Sequence, residues 1–126
     1  ALYGAGSATA ITAQLERGSS NATSALSFSE DHRYLLSTVA GDNSAVLFSV
    51  DESTGMLTKI FCLPISGEYP KDAILFPNNK FLVSLNHESN DMTFFHVDVE
   101  NGTMIMNGPP IEVNVPNCIT FHRIEK

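Results

Sequence analysis

Shifted by 47 residues, the chain matches itself without a gap. Asp31-His32-Arg33-Tyr34-Leu35-Leu36-Ser37 falls on Asn78-Asn79-Lys80-Phe81-Leu82-Val83-Ser84, and Asn43 falls on Asn90. Phe48-Ser49-Val50-Asp51 falls on Phe95-His96-Val97-Asp98, and Gly55 on Gly102. Turn residues meet turn residues and apolar residues meet apolar ones, as a duplicated structural unit requires.

Each unit reads as strands. In the first, strands are predicted over 25–28, 33–39, 45–50 and 56–63. They are separated by Ser29-Glu30-Asp31-His32, Ala40-Gly41-Asp42-Asn43 and Asp51-Glu52-Ser53-Thr54-Gly55, with Gly55 suited to a positive φ. The second unit repeats this over 72–76, 80–86, 92–97 and 103–106, with turns at Pro77-Asn78-Asn79 and Glu100-Asn101-Gly102. No long segment sustains a helical period.

Four antiparallel strands in about 45 residues make one blade of a β-propeller. A β-sandwich also has many short strands but predicts no gapless repeat. The expected fold is therefore all-β: a partial β-propeller with two full four-stranded antiparallel blades and partial flanking blades. Residues 1–22 read as a partial blade, 23–69 and 70–115 as full blades, and 116–126 as the first strand of the closing blade, Pro116 echoing Pro70. Propellers have about 4 to 8 blades, and four at this period need on the order of 190 residues. A chain of 126 residues is thus expected to need the remaining blades, or self-association, to cover its open edges.

Charge narrows the partners. Seven basic residues stand against fourteen acidic ones, for a net charge of −7. Nucleic acid and anionic membranes call for clustered Lys and Arg, so neither is expected. Ala1-Leu2-Tyr3-Gly4 lacks the basic and apolar regions of a signal peptide. Cys62 and Cys118 have no metal-ligand spacing and read as buried thiols rather than a disulfide. No Gly-rich phosphate loop, metal motif or Gly-x-Ser-x-Gly elbow is present, so no cofactor and no metal are expected.

Several stretches together resemble the C-terminal part of the seven-bladed lactonase family, the propeller type of 6-phosphogluconolactonase, which also contains a fungal muconate lactonizing enzyme. They are Ala25-Leu26-Ser27-Phe28-Ser29-Glu30-Asp31, Ala40-Gly41-Asp42-Asn43-Ser44, Gly67-Glu68-Tyr69-Pro70-Lys71-Asp72, Asn86-His87-Glu88-Ser89-Asn90 and Pro116-Asn117-Cys118-Ile119. The resemblance covers residues 24–122. It implies a cytoplasmic hydrolase of the pentose phosphate pathway acting on a sugar lactone, 6-phosphogluconolactone, with more than half of the ring outside this chain. Many family members carry Pro-Arg at the start of a blade. Here Pro70-Lys71 and Thr23-Ser24 stand at those positions, so no family Arg carries over. Lys71 keeps the charge without the bidentate geometry.

With strands a to d in each blade, the b–c loops and d–a connections share one end of the sheets. That end collects 40–44, 64–71, 86–91 and 108–116, while tight generic turns occupy the other. A lactone hydrolase needs a base for water and a positive or hydrogen-bonding group for the carbonyl oxygen. His87 and Glu88 are the catalytic candidates, the His and carboxylate tuning one another. Lys71 and Tyr69 are candidates to bind a phosphate or the oxyanion, and Asn86 to orient a substrate hydroxyl. Asp42 and Asn43 read as an Asx turn, Asp51 and Asp98 as hairpin residues, and His32, His96 and His122 as structural. The alternatives are a propeller scaffold without chemistry and a truncated product without independent activity.

Overall fold

The computed structural model describes residues 22–124. The partial blade expected over 1–22 therefore lies, but for Ala22, outside the described residues. Nine strands form two antiparallel sheets, and no helix occurs among the described residues. The first is a meander of β1 (Ala22–Phe28), β2 (Tyr34–Ala40), β3 (Ser44–Val50) and β4 (Leu57–Pro64). The second runs β5 (Pro70–Leu75), β6 (Phe81–Asn86), β7 (Asp91–Asp98) and β8 (Thr103–Met106), with β9 (Ile111–Glu112) also paired to β7.

Both units bear out the strand order expected from the repeat. The turns repeat in detail as well. His32 and Asn79, one repeat apart, take φ of 59° and 60° and donate their N–H groups to Ser29 and Phe76. Gly55 and Gly102 take φ of 74° and 64° in the c–d hairpins, where a side chain would be strained. The outer strand of the second sheet departs from expectation. β4 covers β3 from end to end, whereas β8 covers only Phe95–Asp98 and β9 returns to cover Asp91 and Met92. Pro109 and Pro110 fall between the two; proline has no N–H for the ladder, so the strand breaks there.

Both faces of β2 are buried, which explains its run of apolar residues in place of a clean alternation. One face of the first sheet supplies Tyr34, Leu36, Ala45, Leu47 and Phe61 to a cluster completed by Ala73, Leu75, Leu82, Phe95 and Val97 of the second. The other face carries Leu35, Val39, Val46 and Phe48, with Cys62 partly buried beside them. Cys118 is exposed, contrary to the buried thiol expected; no further sheet among the described residues covers its segment.

The sheets stack so that residues close to one repeat apart meet. Ser27 Oγ donates to the Ala73 carbonyl at 3.4 Å, and Ser24 Oγ donates to the Pro70 carbonyl, each 46 residues away. One step further, the Ile119 N–H donates to Asp72 Oδ2 at 3.0 Å, and the Phe121 ring lies 5.6 Å from that of Phe76. Residues 116–124 thus run beside β5 as β5 runs beside β1. They form no strand, because a first strand pairs with its own second strand and the described residues supply none.

Asp51 and Asp98 close the c–d hairpins, as the repeat suggests. Side-chain and backbone donors of Ser53, and the Thr54 N–H, hold the Asp51 carboxyl below its ordinary value. The Asn101 amide and N–H do the same for Asp98. At Asp31 desolvation pushes upward, but donors from Ser29, Arg33 and Asn79 and the Arg33 charge outweigh it. A depressed carboxyl contributes stability above its unfolded value and loses it as pH falls through the folded one. Unfolding followed by circular dichroism should therefore show these contributions intact above pH of about 4 and fading below it. Asp51→Asn and Asp98→Asn should flatten that loss. Leu47 is fully buried between the sheets. Leu47→Ala should lower unfolding free energy by about 2–5 kcal/mol in denaturant titration.

Candidate active site

The b–c loops and d–a connections meet at one end of the stack and are bonded to one another there. The Ile65 N–H donates to the Asn43 carbonyl at 3.0 Å, and the Tyr69 N–H to Asn43 Oδ1 at 2.8 Å. The His87 N–H donates to the Tyr69 carbonyl at 2.9 Å, and the Glu88 N–H to the Glu68 carbonyl at 3.1 Å. The loops predicted to share a face therefore do. Asp31, Thr54, Asn78 and Asn101 sit in the a–b and c–d turns at the opposite end, as antiparallel order requires.

Tyr69, Lys71 and His87 come together. The Lys71 ammonium lies 5.6 Å from the Tyr69 ring centroid, and the His87 ring lies 6.1 Å from it. All three side chains are half-buried. Lys71 is the extra residue of a β-bulge between Pro70 and Asp72, and Ser24 occupies the matching bulge of β1. A bulge re-aims a side chain at the cost of one ladder pair, a device common beside active sites. Ser24 Oγ is engaged with Thr38 and Pro70, whereas among the described residues the Lys71 ammonium meets the Tyr69 ring and makes no hydrogen bond or ion pair. His87 Nδ1 lies 3.3 Å from the Pro116 carbonyl oxygen.

Glu88 does not join His87. It is exposed, and no hydrogen bond or ion pair links the two side chains. The mutual tuning expected from the sequence therefore has no contact behind it. Glu88 instead lines a cleft of about 380 Å³ with Glu68, Tyr69, Asn43, Gly41 and Ala40. A larger depression of about 510 Å³ lies at the turn end, beside Arg33, Asn78, Lys80, His96 and Asp98. Volume does not decide between them. The turn end is built from residues such as Asp98 already committed to closing hairpins, and the other end carries the Lys71–Tyr69–His87 group.

Asn86 is not at the surface. It is fully buried, and its amide nitrogen donates to Asp91 Oδ1 at 2.8 Å and Thr93 Oγ1 at 3.1 Å. Its oxygen accepts from Ser84 Oγ at 2.9 Å, and Thr93 Oγ1 passes the chain on to the Ile65 carbonyl at 2.7 Å. Asn86 thus ties the b–c loop to the d–a connection and has no polar atom left for a substrate hydroxyl. Its position at a strand end resembled a ligand-facing one; β6 instead turns that residue under the d–a connection at Gly67.

What the sequence did not reveal is the work of Asn43 and Asn90. Both take φ of 55° and both bind the connection that follows their sheet, Asn90 through Val113 and Val115. Their match in the repeat was the available signal, and reading Asn43 as a local Asx turn passed it over. Among the described residues no group of His, Cys, Asp or Glu is arranged to hold a metal ion.

Two stacked antiparallel meanders, one of four strands and one of five, related by the sequence repeat, define the class: blades of a β-propeller, with a polar group gathered at one end. The family model described as "Lactonase, 7-bladed beta-propeller" matches residues 5–121, and the chain belongs to that family. It is 28% identical over 98 residues to a 6-phosphogluconolactonase of Bacillus subtilis (strain 168), covering 78% of this chain and 28% of the relative. It is 36% identical over 78 residues to a 6-phosphogluconolactonase of Formosa agariphila, covering 60% of this chain and 22% of the relative. Among solved structures it is similar to the periplasmic gluconolactonase of Pseudomonas aeruginosa, with a TM-score of 0.75 at 25% identity over 87% of this chain and 31% of that one. The chain therefore spans under a third of the length of these relatives.

Gly67 packs against the buried amide so closely that an added Cβ would stand 2.3 Å from Asn86 Nδ2. That amide is locked by three partners and cannot step aside. Gly67→Ala should therefore destabilise the protein by about 1–3 kcal/mol, read from its denaturation midpoint.

Proposed function

We propose that this chain supplies part of the active-site face of a lactone hydrolase, and that the substrate is 6-phosphogluconolactone, opened to 6-phosphogluconate. The observation that carries this reading is the gathering of Lys71, Tyr69 and His87 at the loop-rich end of a lactonase-family propeller. Two relatives named 6-phosphogluconolactonase support the choice of substrate.

In this reading a water molecule attacks the ring carbonyl while His87 accepts its proton. The carbonyl oxygen gains negative charge, and the Lys71 ammonium, over an aromatic face and half-screened from solvent, is placed to offset it or to hold the phosphate. Collapse of the tetrahedral intermediate breaks the ring C–O bond. The ring oxygen takes up a proton and the product is a hydroxy acid. The Tyr69 ring neighbours both the base and the cation. Glu88, apart from His87, contributes negative charge to the neighbouring cleft rather than a proton relay.

Lactone hydrolysis by the intact protein tests this reading. His87→Ala should lower kcat on the order of 10²-fold or more if His87 is the base. Lys71→Ala should raise KM if the ammonium holds the phosphate and lower kcat if it meets the oxyanion. Unchanged turnover in His87→Ala would remove His87 as the base, and no hydrolysis by the unaltered protein would leave a propeller scaffold.

A further inference from the structure

We propose that Asn90 is a positioning residue which, through Pro116, holds His87 as the Nδ1-protonated tautomer and so leaves Nε2 as the proton acceptor. The inference rests on the reading of His87 as the base.

Asn43 and Asn90 are matched by the repeat and do the same work one blade apart. Each takes a left-handed conformation, which Asn tolerates better than most residues. Each then offers two acceptors to the following connection. Asn43 receives the Ile65 N–H on its carbonyl and the Tyr69 N–H on Oδ1. Asn90 receives the Val113 N–H on its carbonyl at 3.0 Å and the Val115 N–H on Oδ1 at 2.9 Å. The residues gripped by Oδ1 are themselves left-handed, Tyr69 at φ 58° and Val115 at φ 48°. The second grip therefore sets the direction of the chain as it leaves Val115 for Pro116.

His87 lies where the two grips meet. Its N–H donates to the carbonyl of Tyr69, which Asn43 holds, and its ring faces the carbonyl of Pro116, next to the residue Asn90 holds. A carbonyl can only accept a hydrogen bond, so the ring nitrogen facing it must carry the proton. In the neutral imidazole the other nitrogen then keeps its lone pair. Pro116 is buried and the Tyr69 ring flanks the imidazole, so the orientation is enforced by neighbours on two sides. Ala40 stands at the matching position of the first sheet, so of the two grips only that of Asn90 orients an imidazole.

Long-range proton–nitrogen NMR of the ¹⁵N-labelled chain reads the tautomer directly, with the His87 signals identified by their loss in His87→Ala. At a pH where the ring is neutral, the unaltered chain should show a protonated Nδ1 and a bare Nε2. Asn90→Gly keeps the left-handed backbone and the carbonyl but removes Oδ1, and should shift His87 toward Nε2 protonation. Asn90→Asp restores the acceptor and should restore the Nδ1 proton. An Nε2-protonated His87 in the unaltered chain overturns the proposal, as does one tautomer shared by the Gly and Asp variants. If Asn90→Gly does not fold, the unaltered chain and Asn90→Asp decide, since Nε2 protonation in either is fatal. The NMR result does not depend on turnover. An Nδ1-protonated His87 in a protein whose His87→Ala variant still hydrolyses lactone would keep the positioning role and discard the base.

Discussion

A sheet that is apolar on both faces is stable only when both are covered, and that requirement organises this molecule. β2 and β3 show it most plainly, with Leu36 and Leu47 turned toward one neighbour and Leu35, Val46 and Phe48 toward the other side. Stacking is the solution, and it brings equivalent residues of successive blades into register. Serine hydroxyls on β1 then reach carbonyls of β5, and Asn79 of one turn reaches Asp31 of the previous one at 2.7 Å. Such bonds are individually modest, about 0.5–1.5 kcal/mol each. Their effect is to fix the step and rotation that apolar packing alone leaves loose.

The candidate site sits within one blade. His87 meets Tyr69 because β6 pairs with β5, which lays the b–c loop against the connection leading into that sheet. Tyr69 is the hinge of the arrangement: its N–H is held by the preceding blade, its carbonyl holds His87, and its ring touches both His87 and Lys71. The bulge at Lys71 adds a second constraint, because it turns a β-strand residue out of the ladder without breaking the strand. The lysine there offers a compact point charge with no fixed fork.

Polar residues inside the stack serve the same end. Asn86, Thr93 and Ser84 form a buried chain in which each group is satisfied by another, and leaving one unpaired would cost about 1–3 kcal/mol. The chain ends on the Ile65 carbonyl, so the loop carrying His87 and the connection carrying Tyr69 are joined beneath the surface as well as across it. The polar network is thus the floor of the site, not its lining.

The sequence by itself determined the strands, the turns and which loops share an end. These follow from alternation, turn residues and the repeat, all of which act over a few neighbouring positions or through exact duplication. Asp51, Asp98, Gly55 and Gly102 were legible for that reason. Only the tertiary structure decided what each side chain touches. Asn86 looked like a surface ligand until the d–a connection covered it at Gly67, and Glu88 looked like a partner for His87, with which its side chain makes no bond. The Pro116 carbonyl facing His87 lies 29 residues along the chain, at the blade entry that antiparallel order sets beside the b–c loop, and that neighbourhood was legible in the repeat. Contacts such as those of Asn86 are set by the spacing between packed segments, a distance no local pattern encodes.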